Sequence, residues 1–547
     1  MVAPSEAAAL DQTLPFTPTF QLGDEGMRYR LVSREGVEEI TLGGRTFLSV
    51  SPAALTRLAQ EAFDDVSHYF RRSHLQALSD ILSDPDASGN DRLVARELLK
   101  NAVIAGEGAF PSCQDTGTAI ISAKKGQDVL VDGDVQAALS EGVALTYQTR
   151  NLRFSQMAPV STFQEVNTGN NLPAQIDVEA VGGNKFEGIF IAKGGGSANK
   201  TYLFQETRRV LEPERLLVFF DEKIRTIGTA ACPPYYLAIV VGGLSAEQTL
   251  KTVKLASTRA LDTLPTTGDA TGRAFRDVAM EQEIHKLTQS FGVGAQFGGK
   301  YFCHGVRFIR LPRHGGSLPI GLGVSCSADR QIKGRIDREG IWVEALEREP
   351  ADFLPSVELS SDKAVSIDID RPMDEVRSEL SRLSVGTPVV MSGTVIVARD
   401  LVHAELHKRL ERDGELPEYF VRHPIYYAGP AKTPEGFSSG SFGPTTAARM
   451  DPYVPGFMAA GGNLVTIAKG NRSAGVKKAC ADHGGFYLAA IGGTAAVFGR
   501  DVVDELEPID YAHFGMEAVW RVRVKNFPAF VVIDDKGNDF YARLTPG

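Results

Sequence analysis

Lys193 to Thr201, KGGGSANKT, is the stretch whose reading decides what kind of fold this chain can have. A glycine-rich run closing on Lys-Thr resembles the loop that wraps nucleotide phosphates. That loop requires a glycine, four residues, then Gly-Lys-Ser/Thr. Counted from Gly194, the residue before Lys200 is Asn199, where glycine is required. The missing glycine matters because it lets the backbone close around a phosphate. Consecutive backbone N–H groups can still face an anion. Which anion the stretch holds is left open by the spacing, and a phosphate-binding NTPase ranks below other readings.

The rest of the chain bounds that anion. At 547 residues it is too long for one ordinary core, which predicts two domains. It is 43% hydrophobic and 23% charged, the balance of a soluble globular protein. The net charge is −10 with no long basic run. Nucleic acid and anionic membranes are therefore not expected partners, and positive charge for an anion must come from individual Arg and Lys residues. The N-terminal stretch carries Glu6 and Asp11 and no Arg before Arg28, so it does not read as a secretory or mitochondrial signal. Gly484 to Gly499 is too short and glycine-rich to span a bilayer. A cytoplasmic protein is expected.

Helical spacing marks residues 52–82, and Asn90 is placed as the N-cap of a second helix, DRLVARELLKNAVIAG. Strand-like QIDVEAV, GIFIAK, YLAIVVGG and GVRFIRL follow, interrupted by glycine turns and by helices such as ERLLVFFDEKIRTIG. The fold class is mixed α/β (α+β), with domains expected over residues 1–350 and 371–547. A linker is expected at 351–370, where Pro, Ser and charges lack periodicity. Beyond it PVVMSGTVIVARD reads as a strand, DLVHAELHKRLERDG as a helix and FPAFVVIDDKGNDFY as a closing strand pair.

Five cysteines without a CxxC pair argue against a disulfide framework. Cys113 (FPSCQDTGT), Cys232 (GTAACPPYY) and Cys326 (GVSCSADR) each lie in turn chemistry at the end of an apolar segment. Cys303 and Cys480 sit in a strand and a short helix and read as small buried hydrophobes. The first three could be buried hydrophobes too, or could jointly anchor an iron–sulfur cluster that leaves one iron without a protein ligand.

PSCQDTGTA, NLRFSQ, NTGNNLPAQ, AKGGGSANKTYLFQET, IGTAACPPY, GAQFGGKYF, RLPRHG, VSCSADR, YYAGPAKTPEG, GSFGPTT and AKGNRS together resemble class I fumarate hydratases, the oxygen-sensitive iron–sulfur fumarases. The blocks run in family order from about Pro52 to Asn538. The resemblance implies a homodimer, an N-terminal α/β domain holding a 4Fe-4S cluster, a smaller swivelling C-terminal β/α domain, and an active site between them. By motif, Cys113, Cys232 and Cys326 would be the cluster ligands. The implied reaction is reversible hydration of fumarate to (S)-malate, a C4-dicarboxylate reaction of the tricarboxylic acid cycle. The alternatives are the same chemistry on mesaconate or tartrate. An iron–sulfur electron carrier or sensor is a further alternative from another class. The chain departs from the family's usual residues at Cys303, in HGGSLPIG where HGASCPVG is usual, and at Ala448 in TTAARM where TTAGRM is usual.

Cations must meet the substrate's carboxylates, and arginine suits them through its bidentate fork. By resemblance Arg153, Arg399, Arg449 and Lys469 take that role. Gln114 and Asp115 follow the cluster ligand Cys113 and are expected at the substrate, as are Gly196, Asn199, Lys200 and Thr201 in the glycine-rich wall. Asp115 is assigned as the acid that protonates the leaving hydroxyl, acting with His314. Thr445 is assigned as the base, with Thr446 beside it, and needs a nearby cation because a free hydroxyl is too weakly acidic.

Overall fold

The computed structural model describes residues 17–23, 26–355 and 364–544. Its N-terminal half is built on two sheets. In the first, six strands lie in the order Tyr29–Ser33, Gly340–Glu344, Gln331–Asp337, Phe186–Lys193, Thr118–Gly126, Gln175–Val181. Helices Pro52–His68 and Val135–Thr149 share its core, with Leu58, Phe63 and Val143 buried alongside Phe190 and Ile332. Ser51 caps the first of these helices by accepting from Ala54 N, and Pro52 opens it, so its start is set locally.

The second sheet has five strands, and its middle strand, Tyr235–Gly243, is buried at every position. Its continuous apolar run is what a strand covered on both faces requires. This strand pairs parallel with Cys303–Arg313 and antiparallel with Leu318–Ser325.

In the C-terminal half, Pro388–Val397 pairs both with Ile425–Tyr426 and with the long strand Val519–Ile533. The chain of pairings continues through Val465–Ala468 and Phe486–Ala490 back to Val519–Ile533, so five strands close on themselves. Val365–Asp368 and Val503–Asp510 are left as flanking strands. Helices Asp400–Asp413 and Ala474–His483 each end on a left-handed glycine, Gly414 and Gly484.

The halves share one apolar core running from Phe70 to Leu544. Phe297 stacks on Phe530 with ring centroids 4.0 Å apart. Gln296 clamps Gly492 by donating to its carbonyl at 3.0 Å and accepting from its N–H at 2.8 Å. Ala496 N donates to Asn101 Oδ1 at 2.8 Å.

Three local expectations change. Ser88, not Asn90, caps helix Gly89–Gly106, through a capping box with Asp91, while Asn90 donates to the Phe297 carbonyl. The expected linker narrows, because Pro350–Phe353 is a 3-10 turn and Val365–Asp368 is a strand; residues 356–363 lie outside the described residues. FPAFVVIDDKGNDFY does not close as a strand pair. A single bridge, Ile533 to Asp539, precedes a 3-10 turn.

Candidate active site

The three singled-out cysteines converge. Cys113 leaves the loop between helix Gly89–Gly106 and strand Thr118–Gly126, and Cys326 directly follows strand Leu318–Ser325. Cys232 precedes the buried strand Tyr235–Gly243 in the left-handed region, φ 64°, which a side chain other than glycine seldom occupies. Each thiol lies within electrostatic range of the other two. Among the described residues no three His, Cys, Asp or Glu side chains converge tightly enough for a single metal ion.

The surroundings fit an iron–sulfur cluster. A Cβ on Gly492 would stand 2.3 Å from Cys232 Sγ, so glycine there leaves that thiol room. Ser112 Oγ and Ser327 Oγ, beside Cys113 and Cys326, are buried without a hydrogen-bond partner among the described residues. Arg330 is 4% exposed and its Nε is unpartnered. The negative groups that hold its guanidinium charged are Cys113, Cys326 and Asp115. Asp115 is shared with Arg153, so negative charge on the two sulfurs adds to what compensates this buried cation. Lys469 donates from Nζ to Cys232 Sγ at 3.0 Å. Burial alone would lower Lys469, but the three sulfurs push it up to about 12. Burial pushes the Cys232 thiol up to about 11 against the pull of Lys469, so binding a cluster there would have to release its proton.

Beside the thiols lies a cavity of about 110 Å³ whose lining comes from both halves. From the N-terminal half come Gln114, Asp115, Arg153, Gly196 and Asn199. From the C-terminal half come Arg399, Thr445, Thr446, Arg449 and Lys469. Gln114 Nε2 donates to the Pro444 carbonyl at 3.1 Å, and a Cβ on Gly443 would stand 2.2 Å from Gln114 Oε1. Gly443 therefore allows the two walls to meet. Thr445 accepts a backbone bond from Lys469 N at 3.2 Å, and Ala447 N donates to the Lys469 carbonyl at 2.9 Å, so the two functional segments are laced together.

Charge organises the lining. Asp115 pairs with Arg153 at 3.1 Å and accepts from Gly195 N at 2.7 Å. Burial alone would raise its pKa, yet Arg153, Arg330, the Gly195 N–H and Lys469 together hold it below the usual carboxylate range. Asp115 is thus a carboxylate in the resting site, not a protonated acid. The glycine-rich wall, strand Phe186–Lys193 running into the short helix Gly195–Ala198, meets this carboxylate as its anion. Arg153 and Arg449 both push against the charge on Arg399, so three guanidiniums repel one another around one space. On the far wall, Arg449 donates to Thr445 Oγ1 at 2.7 Å and pairs with Asp400 at 3.1 Å.

Three expected site residues lie elsewhere. Lys200 turns away to the Thr226 carbonyl at 3.3 Å, and Thr201 is exposed; neither lines the cavity, because the chain leaves the wall after Asn199, the C-cap of the short helix. His314 sits in the exposed turn between strands Cys303–Arg313 and Leu318–Ser325, where its Nδ1 accepts from Gly316 N at 3.1 Å. Within the chain it does not line the cavity. Ala448 is exposed and its methyl does not line the cavity either. Cys303 is buried and burial raises its thiol, leaving it inert. Sequence reasoning missed Arg330, although its position four residues after Cys326 was a signal. It also missed Gly195, Gly429, Gly443 and Gly492, whose roles depend on neighbours distant in sequence.

Comparison with known proteins bears on this arrangement. The family model described as "Fumarate hydratase (Fumerase)" matches residues 56–335, and that described as "Fumarase C-terminus" matches residues 340–544. "Fumarate hydratase class I, aerobic" of Escherichia coli (strain K12) is 53% identical over 527 residues, covering 96% of each chain. "Fumarate hydratase 2" of Leishmania major is 53% identical over 546 residues, 98% of this chain and 96% of that one. "Putative L(+)-tartrate dehydratase subunit beta" of Methanocaldococcus jannaschii is 34% identical over only 31% of this chain.

Proposed function

The chain belongs to the class I fumarate hydratase family and is a hydro-lyase, and we propose that the cavity between Asp115 and Thr445 is where water adds reversibly to fumarate to give (S)-malate. One observation carries this reading. Three mutually repelling arginines and Lys469 line a single small space that also contains an ionised carboxylate and an arginine-bonded hydroxyl. A dicarboxylate relieves that repulsion, and the two oxygen functions are of the kind that proton transfer at adjacent carbons requires.

Arg153, Arg399 and Arg449 bind and orient the two carboxylates. In the hydration direction, Asp115 accepts a proton from water as its oxygen bonds to one alkene carbon. The alkene electron pair moves onto the neighbouring carboxylate, where guanidinium charge stabilises it. Thr445 then delivers its proton to the second carbon, and Arg449 stabilises the oxygen left behind. Asp115 returns its proton through solvent and Thr445 regains one. Dehydration runs the same steps backwards, with protonated Asp115 serving the leaving hydroxyl.

Cys113, Cys232 and Cys326 would hold a 4Fe-4S cluster, supported by the Gly492 clearance and by the buried charge of Arg330. When bound, the cluster would supply an open iron that acts as a Lewis acid toward hydroxyl and carboxylate oxygens, and its exposure would make the activity sensitive to air. Five free cysteines suit a reducing compartment, and we place the protein in the cytoplasm on that ground. No helix among the described residues is long and apolar enough to cross a membrane. The homodimer implied by family resemblance is supported by an exposed hairpin, Met157–Ser161 with Gln164–Asn167, whose Phe163 is 95% exposed.

The test is the initial rate of fumarate loss by anaerobic, iron–sulfide-reconstituted protein, with Cys326→Ser alongside. Hydration abolished by air and by that substitution is expected. A cluster-loaded protein that turns over no fumarate would overturn the reading.

A further inference from the structure

Arg399 is the most deeply buried of the three cavity arginines, with only 8% of its side chain exposed. It is the residue immediately before helix Asp400–Asp413. The backbone at Gly429 packs flat against its guanidinium, since a Cβ there would stand 2.7 Å from Cζ. Its Nε has no hydrogen-bond partner among the described residues. One carboxylate meets this cation from outside the cavity, that of Glu517, which pairs with Arg399 Nη2 yet does not itself line the space. The second oxygen of Glu517 is buried and unpartnered. Glu517 closes the segment Ala512–Glu517, which is kinked at Gly515 and follows Tyr511, a non-glycine residue held in the left-handed region.

We infer that Glu517 is a positioning residue for the reaction, holding the Arg399 fork toward one carboxylate of the substrate. The inference rests on the dicarboxylate reading of the cavity. Without a carboxylate behind it, a buried guanidinium facing two other arginines would swing toward solvent or the nearest acidic group. Burial opposes the Arg399 charge, and Glu517 is the strongest of the charges that restore it, ahead of Asp400. A shape-matched partner also spares the substrate the cost of ordering a long side chain at the moment of binding.

The experiment uses cluster-loaded full-length protein and succinate, a C4-dicarboxylate that does not react, with binding measured by titration calorimetry alongside fumarate kinetics. Glu517→Gln keeps the shape and removes the charge. Succinate binding at least tenfold weaker, a KM for fumarate raised to match and a kcat within threefold of wild type are expected. In an Arg399→Lys background, adding Glu517→Gln should cost nothing further. Glu507→Gln, which breaks an exposed ion pair with Arg521, serves as a neighbouring control and should change neither quantity. Unchanged or tighter succinate binding by Glu517→Gln overturns the inference, as does a loss that adds in full to that of Arg399→Lys. Failure of the wild type to bind succinate would overturn the dicarboxylate reading, and this inference with it.

Discussion

Arg449 donates to Thr445 Oγ1 across 2.7 Å, from one 3-10 turn beyond it, and is itself held by Asp400 at 3.1 Å. A hydroxyl that accepts a hydrogen bond from a guanidinium gives up its own proton more easily, and its oxygen is partly paid in advance with positive charge. Thr445→Val keeps the volume and removes the oxygen. It should lower kcat by about 10²–10⁴-fold, the usual range for a lost acid–base group, with little change in KM. Steady-state kinetics on fumarate and on malate would check this, and equal falls in both directions are expected because both pass through one transition state.

Gly492 tests the cluster cradle without touching a ligand. Its φ is not in the left-handed region, and an added Cβ would meet Cys232 Sγ at 2.3 Å, a distance real Cβ atoms essentially never show. Gly492→Ala should therefore lower bound iron and sulfide well below the wild-type content. Circular dichroism should show the fold retained. Full iron content in this variant would count against Cys232 as a ligand.

His403 gives the fold a pH dependence of its own. It is fully buried among Phe420, Tyr427, Tyr453 and Phe457. Burial pushes its pKa down to about 3. The unfolded chain titrates this group near 6.5, so below that pH the unfolded state binds the extra proton and stability falls as pH drops, until about 3. The slope from one such group is about 1.4 kcal/mol per pH unit. Denaturant unfolding of His403→Leu between pH 7 and pH 5 should show a dependence shallower by about that amount per unit below 6.

Phe163, at the tip of the Met157–Asn167 hairpin, is exposed together with Val160 and Val166. Phe163→Asp should weaken self-association by at least tenfold in sedimentation velocity while leaving the folded spectrum unchanged. Identical association in the variant would remove this hairpin from the proposed dimer contact.

Some of this protein was decided by sequence alone. The three cysteine loops were legible because Gly, Pro, Ser and Thr beside a thiol at the end of an apolar run describe a turn whatever surrounds it. The buried strand Tyr235–Gly243 and the helices at 52–68 and 213–225 were legible for the same reason, since period and caps act over a few residues. The miss at Asn90 was itself local, with a capping box standing two residues upstream at Ser88.

Tertiary structure alone decided which charges face one another. Glu517 reaches Arg399 because the sheet of the C-terminal half closes, with Val519–Ile533 paired along Pro388–Val397 immediately before the arginine. Gly429, Gly443 and Gly492 matter only because another chain segment approaches each within van der Waals distance. Lys200 and Thr201 fell outside the cavity because a four-residue helix turned the wall away before them. His314 stands in the exposed connection between two strands that pair with Tyr235–Gly243 on opposite sides. Sequence could name the chemistry of these side chains; their neighbours were set by long-range pairing, which no local pattern encodes.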